Sequence, residues 1–229
     1  MPMEDFNLDS VRQQLNSADL QECYGAIRVA IDAIPASAPL LNDLYAVYVS
    51  TEPAPCSSSA FAAICRHKSV AVPFLLQLLE SQDENDRQNA IHLLLGLGHN
   101  RSSYRIYEQL LDDRPDSQPD WGSQRALVIQ KLHDALIDPD SNVRTMAAVT
   151  LDEIDEKPDS IVALLVDGLN SDSIYIQNIS ALHLGRLGAF ASPALSALND
   201  FVGSNTDPTN GTHRPVLAAK NAINRINGT

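Results

Sequence analysis

The stretch Leu184-Gly185-Arg186-Leu187-Gly188 sets two glycines three residues apart around an arginine, with His183 just before them. A phosphate-cradling loop would use such glycines to bring backbone N–H groups and a helix N-terminus up to an anion, and it would follow a strand. Here the glycines trail an apolar stretch of helical period instead. Gly188 is therefore expected to end a helix in the left-handed conformation that glycine adopts cheaply, and Gly98 to do so in an earlier segment.

The other residues that could carry chemistry are scattered. Cys56, Cys65 and His67 are loosely spaced and lack a fourth ligand for zinc. His92, His133 and His183 form no i,i+4 pair and no H-E-x-x-H motif, so no metal or other cofactor is expected. No G-x-S-x-G context marks a nucleophile, and no catalytic residue can be assigned. The acidic run Asp152-Glu153-Ile154-Asp155-Glu156 reads as a solvated helix end and turn rather than as paired catalytic carboxylates.

Composition narrows the partners. The 229 residues carry a formal net charge of −13, which argues against nucleic acid or an anionic membrane, since both are bound through Lys and Arg. Three cysteines without tight spacing suit a reducing compartment, and a cytoplasmic location is expected. The first residues, MPMEDFNLDS, are acidic and hold no apolar core, so no secretory signal is expected. No apolar run approaches the ~18 residues needed to span a bilayer. Aromatics make up only 5% of the chain, so aliphatic side chains and alanine must do the packing, which suits close helix–helix contact.

The elements that position these residues repeat. Leu79 to Gly98 (LESQDENDRQNAIHLLLGLG) aligns without a gap on Leu169 to Gly188 (LNSDSIYIQNISALHLGRLG), and Leu136 to Ile154 (LIDPDSNVRTMAAVTLDEI) aligns on the latter at an offset of 33. A divergent copy closes the chain at Pro215 to Ile226, and a weaker one, Leu15 to Ile34, lies near its start with one residue inserted. Each copy reads as an apolar helix, a polar turn rich in Ser, Asp and Asn, and a second amphipathic helix with small residues (Ala90, Ala147, Ser180). A helix pair of about 33 residues cannot close a core alone, but stacked pairs bury a continuous one.

Asp140, Val143-Arg144, Ala147-Ala148 and Leu151 in one copy carry a resemblance to HEAT repeats, as do Ala181, Leu184-Gly185 and Leu187-Gly188 in another. More narrowly, the chain resembles the short HEAT-like repeats of phycobilisome lyase-type proteins. The resemblance implies an all-α, right-handed α-α superhelix of about twelve helices in five or six stacked pairs. One solenoid domain over 1–229 is expected, with divergent helices over 1–69 and repeats at 70–98, 126–157, 158–190 and 191–227. Residues 99–125 would be an insertion carrying one helix, Ser103 to Leu111. HEAT-like metal hydroxylases carry His-Glu ligand pairs and HEAT-like DNA glycosylases a basic, tryptophan-bearing face. This chain has no His-Glu dipeptide and only Trp121.

The fold so implied would lay its second helices along a concave wall, the usual place for a protein partner. Gln88, His92, Thr145, Val149, Asn178 and Leu182 are expected to face that partner. Arg87 and Arg144, each four residues after an aspartate (Asp83, Asp140), are expected to tie one repeat to the next, with Asp140. The function expected is a non-enzymatic protein-interaction scaffold. The narrower resemblance implies an alternative: a bilin lyase subunit or a phycobilisome assembly or breakdown factor, with a phycobiliprotein as partner and a bilin as its cofactor.

Overall fold

The computed structural model describes residues 6–50, 54–97, 119–154, 156, 159–205 and 213–228. Gly98 and the expected helix Ser103 to Leu111 lie outside the described residues. Among the described residues the regular structure is helical throughout, with no strand. The α-helices are α1 (Leu8–Leu15), α2 (Leu20–Asp32), α3 (Leu41–Val49), α4 (Ala54–Arg66), α5 (Val72–Leu78) and α6 (Glu84–Gly96). They continue as α7 (Arg125–Ala135), α8 (Ser141–Glu153), α9 (Ile161–Leu169), α10 (Ile174–Leu187), α11 (Leu195–Ser204) and α12 (His213–Asn227). No described helix is long and apolar enough to cross a membrane.

The polar turns start helices in the register of the repeat. Asp83, Asp140 and Ser173 align in the three copies, and each side chain accepts from a backbone N–H of the next turn. The distances are 2.8 Å to the Asn85 amide, 2.9 Å to the Val143 amide and 3.5 Å to the Ile176 amide. An N-terminal amide without such an acceptor would be an orphan donor, so these residues set where each second helix begins. Asp19 does the same for α2, 2.7 Å from the Gln21 amide, at the aligned point of the weak first copy.

The contacts divide into two compact units. The first comprises Met1–Gln82 with His92–Val128, and the second Asp83–Ile91 with Ile129–Thr229. In the first, α2 packs on α1 and α4, and α4 on α3, around Leu40, Leu44, Phe61 and Ile64. Trp121, within the expected insertion, is 1% exposed. Its indole N–H donates at 2.8 Å to the Leu94 carbonyl, which also accepts from the Leu97 amide at the end of α6.

The second unit is a stack of helix pairs. Helix α8 packs on α9, α9 on α10, and α11 on α12, while α8, α10 and α12 also meet in series, as do α9 and α11. First helices thus stack on first helices and second on second, which is a helical-repeat fold built from the pairing itself. Gly185 marks a close approach in the second row: a Cβ there would lie 3.0 Å from the Ala222 Cα.

Candidate functional site

The glycine motif makes no anion site. Gly188 follows the last residue of α10 with φ +54° and ψ −134°. The positive φ is the expected one, but the ψ takes it outside the left-handed helical well, into a region that only glycine enters at low cost. The stretch ends a helix.

The repeat-position arginines hold the joints of the second unit. Arg87 on α6 forms a two-pronged pair with Asp138, in the turn before α8, with its Nε and Nη2 each 2.8 Å from a carboxylate oxygen. Burial alone would raise the Asp138 carboxyl. The hydrogen bonds from Arg87 and the Asp140 amide, with the charges of Arg87 and Arg144, hold it below the ordinary carboxylate value. Arg144 donates to the Asp138 and Pro139 carbonyls at 2.8 and 3.0 Å and reaches Asp167 of the next pair at 3.9 Å. The Asp140 carboxylate caps its own helix, and its charge adds to that of Asp138 in stabilising the Arg87 cation.

At the next step the arginine is missing. Gln177 stands 33 residues after Arg144, and its amide donates to the Ser171 carbonyl at 2.6 Å, repeating the bond of Arg144 to Asp138. Beyond it opens a groove of about 680 Å³, walled by the end of α9 (Leu169), the turn with Ser171 and Asp172, the start of α10 (Gln177) and a face of α11 (Asp200, Phe201). No Lys, Arg or His lines it. Asp172 and Asp200 are exposed and pair with no cation among the described residues. The Gln177 Oε1 is buried without a hydrogen-bond donor.

The six residues expected to face a partner divide sharply. Thr145 and Val149 are each 0% exposed, so neither can meet one. The reason is local: α8 is buried on every side from Thr145 to Glu153, and the Thr145 hydroxyl donates to the Leu164 carbonyl of α9 at 3.2 Å. Gln88, Asn178 and Leu182 are partly exposed in the second unit. His92 belongs to the first unit, where its ring stacks 4.7 Å from Phe61 and its Nδ1 lies 3.0 Å from the Tyr48 hydroxyl. Burial pushes its pKa down to about 3, which makes it a neutral packing residue.

The acidic run is the larger correction. Asp152 and Glu153 are 2% and 3% exposed, where a solvated helix end was expected. His183, 2% exposed, lies between them with Nδ1 3.3 Å from Asp152 Oδ2 and Nε2 3.3 Å from Glu153 Oε1. Arg186 closes the cluster on Glu153. Charges of both signs buried together make a structural knot. Sequence reading missed it because its members come from different copies.

The loose cysteine–histidine set binds its own protein. Cys56 and Cys65 are buried free thiols, and burial raises that of Cys65 above its usual range. The His67 Nδ1 donates to the Ala63 carbonyl at 2.9 Å. Among the described residues no three His, Cys, Asp or Glu side chains gather as metal ligands.

No family model matches the chain, and no curated protein does. Three solved structures align with nearly all of it. An engineered protein is 18% identical, covering 97% of this chain and 98% of its own, with a TM-score of 0.41. A designed armadillo repeat protein in complex with the peptide (KR)4 is 18% identical over 96% of this chain and 100% of its own, at 0.44. The complex of CpcE and CpcF of phycocyanin lyase from Nostoc sp. PCC7120 is 19% identical over 99% and 98%, at 0.34. Superposition this loose leaves the fold assignment resting on the helix pairing described above.

Proposed function

We propose that this chain is a non-enzymatic helical-repeat scaffold that docks a protein partner on its second unit. The observation that carries this reading is the groove between consecutive helix pairs, with Asp172 and Asp200 unneutralised at its rim. Such a groove in a chain of net charge −13 favours a basic protein surface and repels nucleic acid and anionic lipid. Gln88, Asn178 and Leu182, partly exposed on the second helices, are further candidate contacts apart from the groove. The three free thiols suit a reducing compartment such as the cytoplasm.

Photo-crosslinking tests this directly. A benzophenone amino acid in place of Asn170, on the groove rim, should capture one discrete protein in native extract. The adduct should vanish on charge reversal of Asp200 and survive reversal of the exposed Asp134. An adduct insensitive to both changes refutes docking here.

The lyase-type motif supports a second reading, in which the chain acts on phycobiliproteins with a bilin as cofactor. The groove does not fit that group: a bilin carries two anionic propionates, and the carboxylates of Asp172 and Asp200 would repel them. Co-expression with a bilin and an apo-phycobiliprotein would yield covalent colour if this reading holds, and no change in absorption sinks it.

A further inference from the structure

We infer that the groove at Gln177 is a receptor for an arginine side chain of the partner, which takes the place that the repeat's own arginine fills one step earlier. This inference rests on the docking reading above and names its chemistry. The repeat register carries it. Arg144 reaches from its helix to Asp167 of the next pair. Thirty-three residues on, Gln177 stands for Arg144 and Asp200 for Asp167, and both line the groove.

The glutamine keeps one half of the arginine's work, its bond to the carbonyl six residues back, and loses the other half. A neutral amide cannot neutralise a carboxylate and is too short to fill the space a guanidinium occupies. Asp200 is thereby left without the cation its equivalent has, in a groove that a second bare carboxylate, Asp172, also lines.

The walls suit arginine over a small cation. Leu169 and Phe201 offer apolar surface on which an aliphatic stem can lie while the charged end meets the carboxylates. A planar guanidinium with five donors can serve two carboxylates at once, which an ammonium does less well.

The test uses the full chain and three short peptides, acetyl-Ala-X-Ala-amide, with X as arginine, lysine or the neutral isostere citrulline. Amide NMR shifts read the site. The arginine peptide should move the Ser171, Asp172 and Gln177 amides saturably, with citrulline binding about tenfold weaker or worse, as loss of charge-assisted hydrogen bonds implies. Asp200→Asn should weaken the arginine peptide about tenfold. Gln177→Arg supplies the guanidinium internally, so it should abolish the saturable shifts and raise Tm.

Shifts spread evenly over the acidic surface, equal binding of citrulline, or unchanged binding by Gln177→Arg would each overturn the inference. If Asp200→Asn loses helical circular dichroism, Asp172→Asn is read in its place. Should the peptides fail while the Asn170 crosslink still depends on Asp200, docking stands and only the arginine assignment falls. If the crosslink fails as well, both fall.

Discussion

Glu153 and Arg186 occupy the same position of consecutive repeats, 33 residues apart, and meet as an ion pair where α8 packs on α10. The Glu153 side chain is 1% exposed and that of Arg186 13%, with His183 against the same carboxylate. A pair so dry holds because each charge has the other.

Arg186→Met should therefore cost about 3–5 kcal/mol, because it leaves the buried Glu153 carboxylate with only the His183 ring beside it. The double variant Arg186→Met, Glu153→Met should recover much of that loss, since two apolar side chains leave no charge to desolvate. Urea unfolding of the two variants checks both values. Equal stability of the single and double variants would mean that the pair is not a coupled unit.

The Arg87–Asp138 pair should show in the acid limb of stability. The folded Asp138 pKa is lowered, so its contribution is complete above the unfolded carboxylate pKa of about 4 and is lost as pH falls through the folded value. Arg87→Ala should cost about 1.5–3 kcal/mol at neutral pH and flatten that limb. Carboxyl NMR titration of Asp138 should show its pKa rising in the variant; an unmoved titration would remove Arg87 from the cause.

His92 acts in a different window. Its folded pKa is pushed down to about 3, so the unfolded chain takes up the proton first. Stability should fall as pH drops from about 6.5 toward the folded value. His67, lowered chiefly by burial, adds to the same trend. His92→Gln keeps an acceptor for Tyr48 and should lessen the drop in Tm between pH 7 and pH 5. A variant with the wild-type slope would show that His92 titrates normally.

Two glycines of one motif should respond differently to alanine. At Gly188 nothing lies within 4 Å of an added Cβ, so only the backbone angles resist, at about 1–3 kcal/mol. At Gly185 the backbone is ordinary for a helix, but the Cβ would crowd Ala222 at 3.0 and 3.2 Å and force α10 from α12, at about 1–3 kcal/mol. Denaturation of the two single variants and the double separates them. Equal costs reached through one shared rearrangement would appear as non-additivity.

Much of the fold is written locally. Asp83, Asp140 and Ser173 start helices because a short side-chain oxygen beside an orphan amide needs no distant partner, and Gly188 ends one because only glycine takes its backbone angles. The repeat spacing of these signals was enough to identify stacked helix pairs. Which faces the pairs would bury could not be read the same way. A helix at the edge of a core shows an apolar stripe, but α8 is enclosed by neighbours from several pairs, and its sequence mixes threonine, valine and acids all round. Thr145 and Val149 thus looked free for a partner, and Asp152 and Glu153 looked wet. Tertiary contacts alone decided otherwise, because the groups that neutralise those acids, His183 and Arg186, arrive from the next repeat. The groove at Gln177 has the same origin: the substitution of arginine is visible in the chain, while the space it leaves exists only once α11 has packed beside α9.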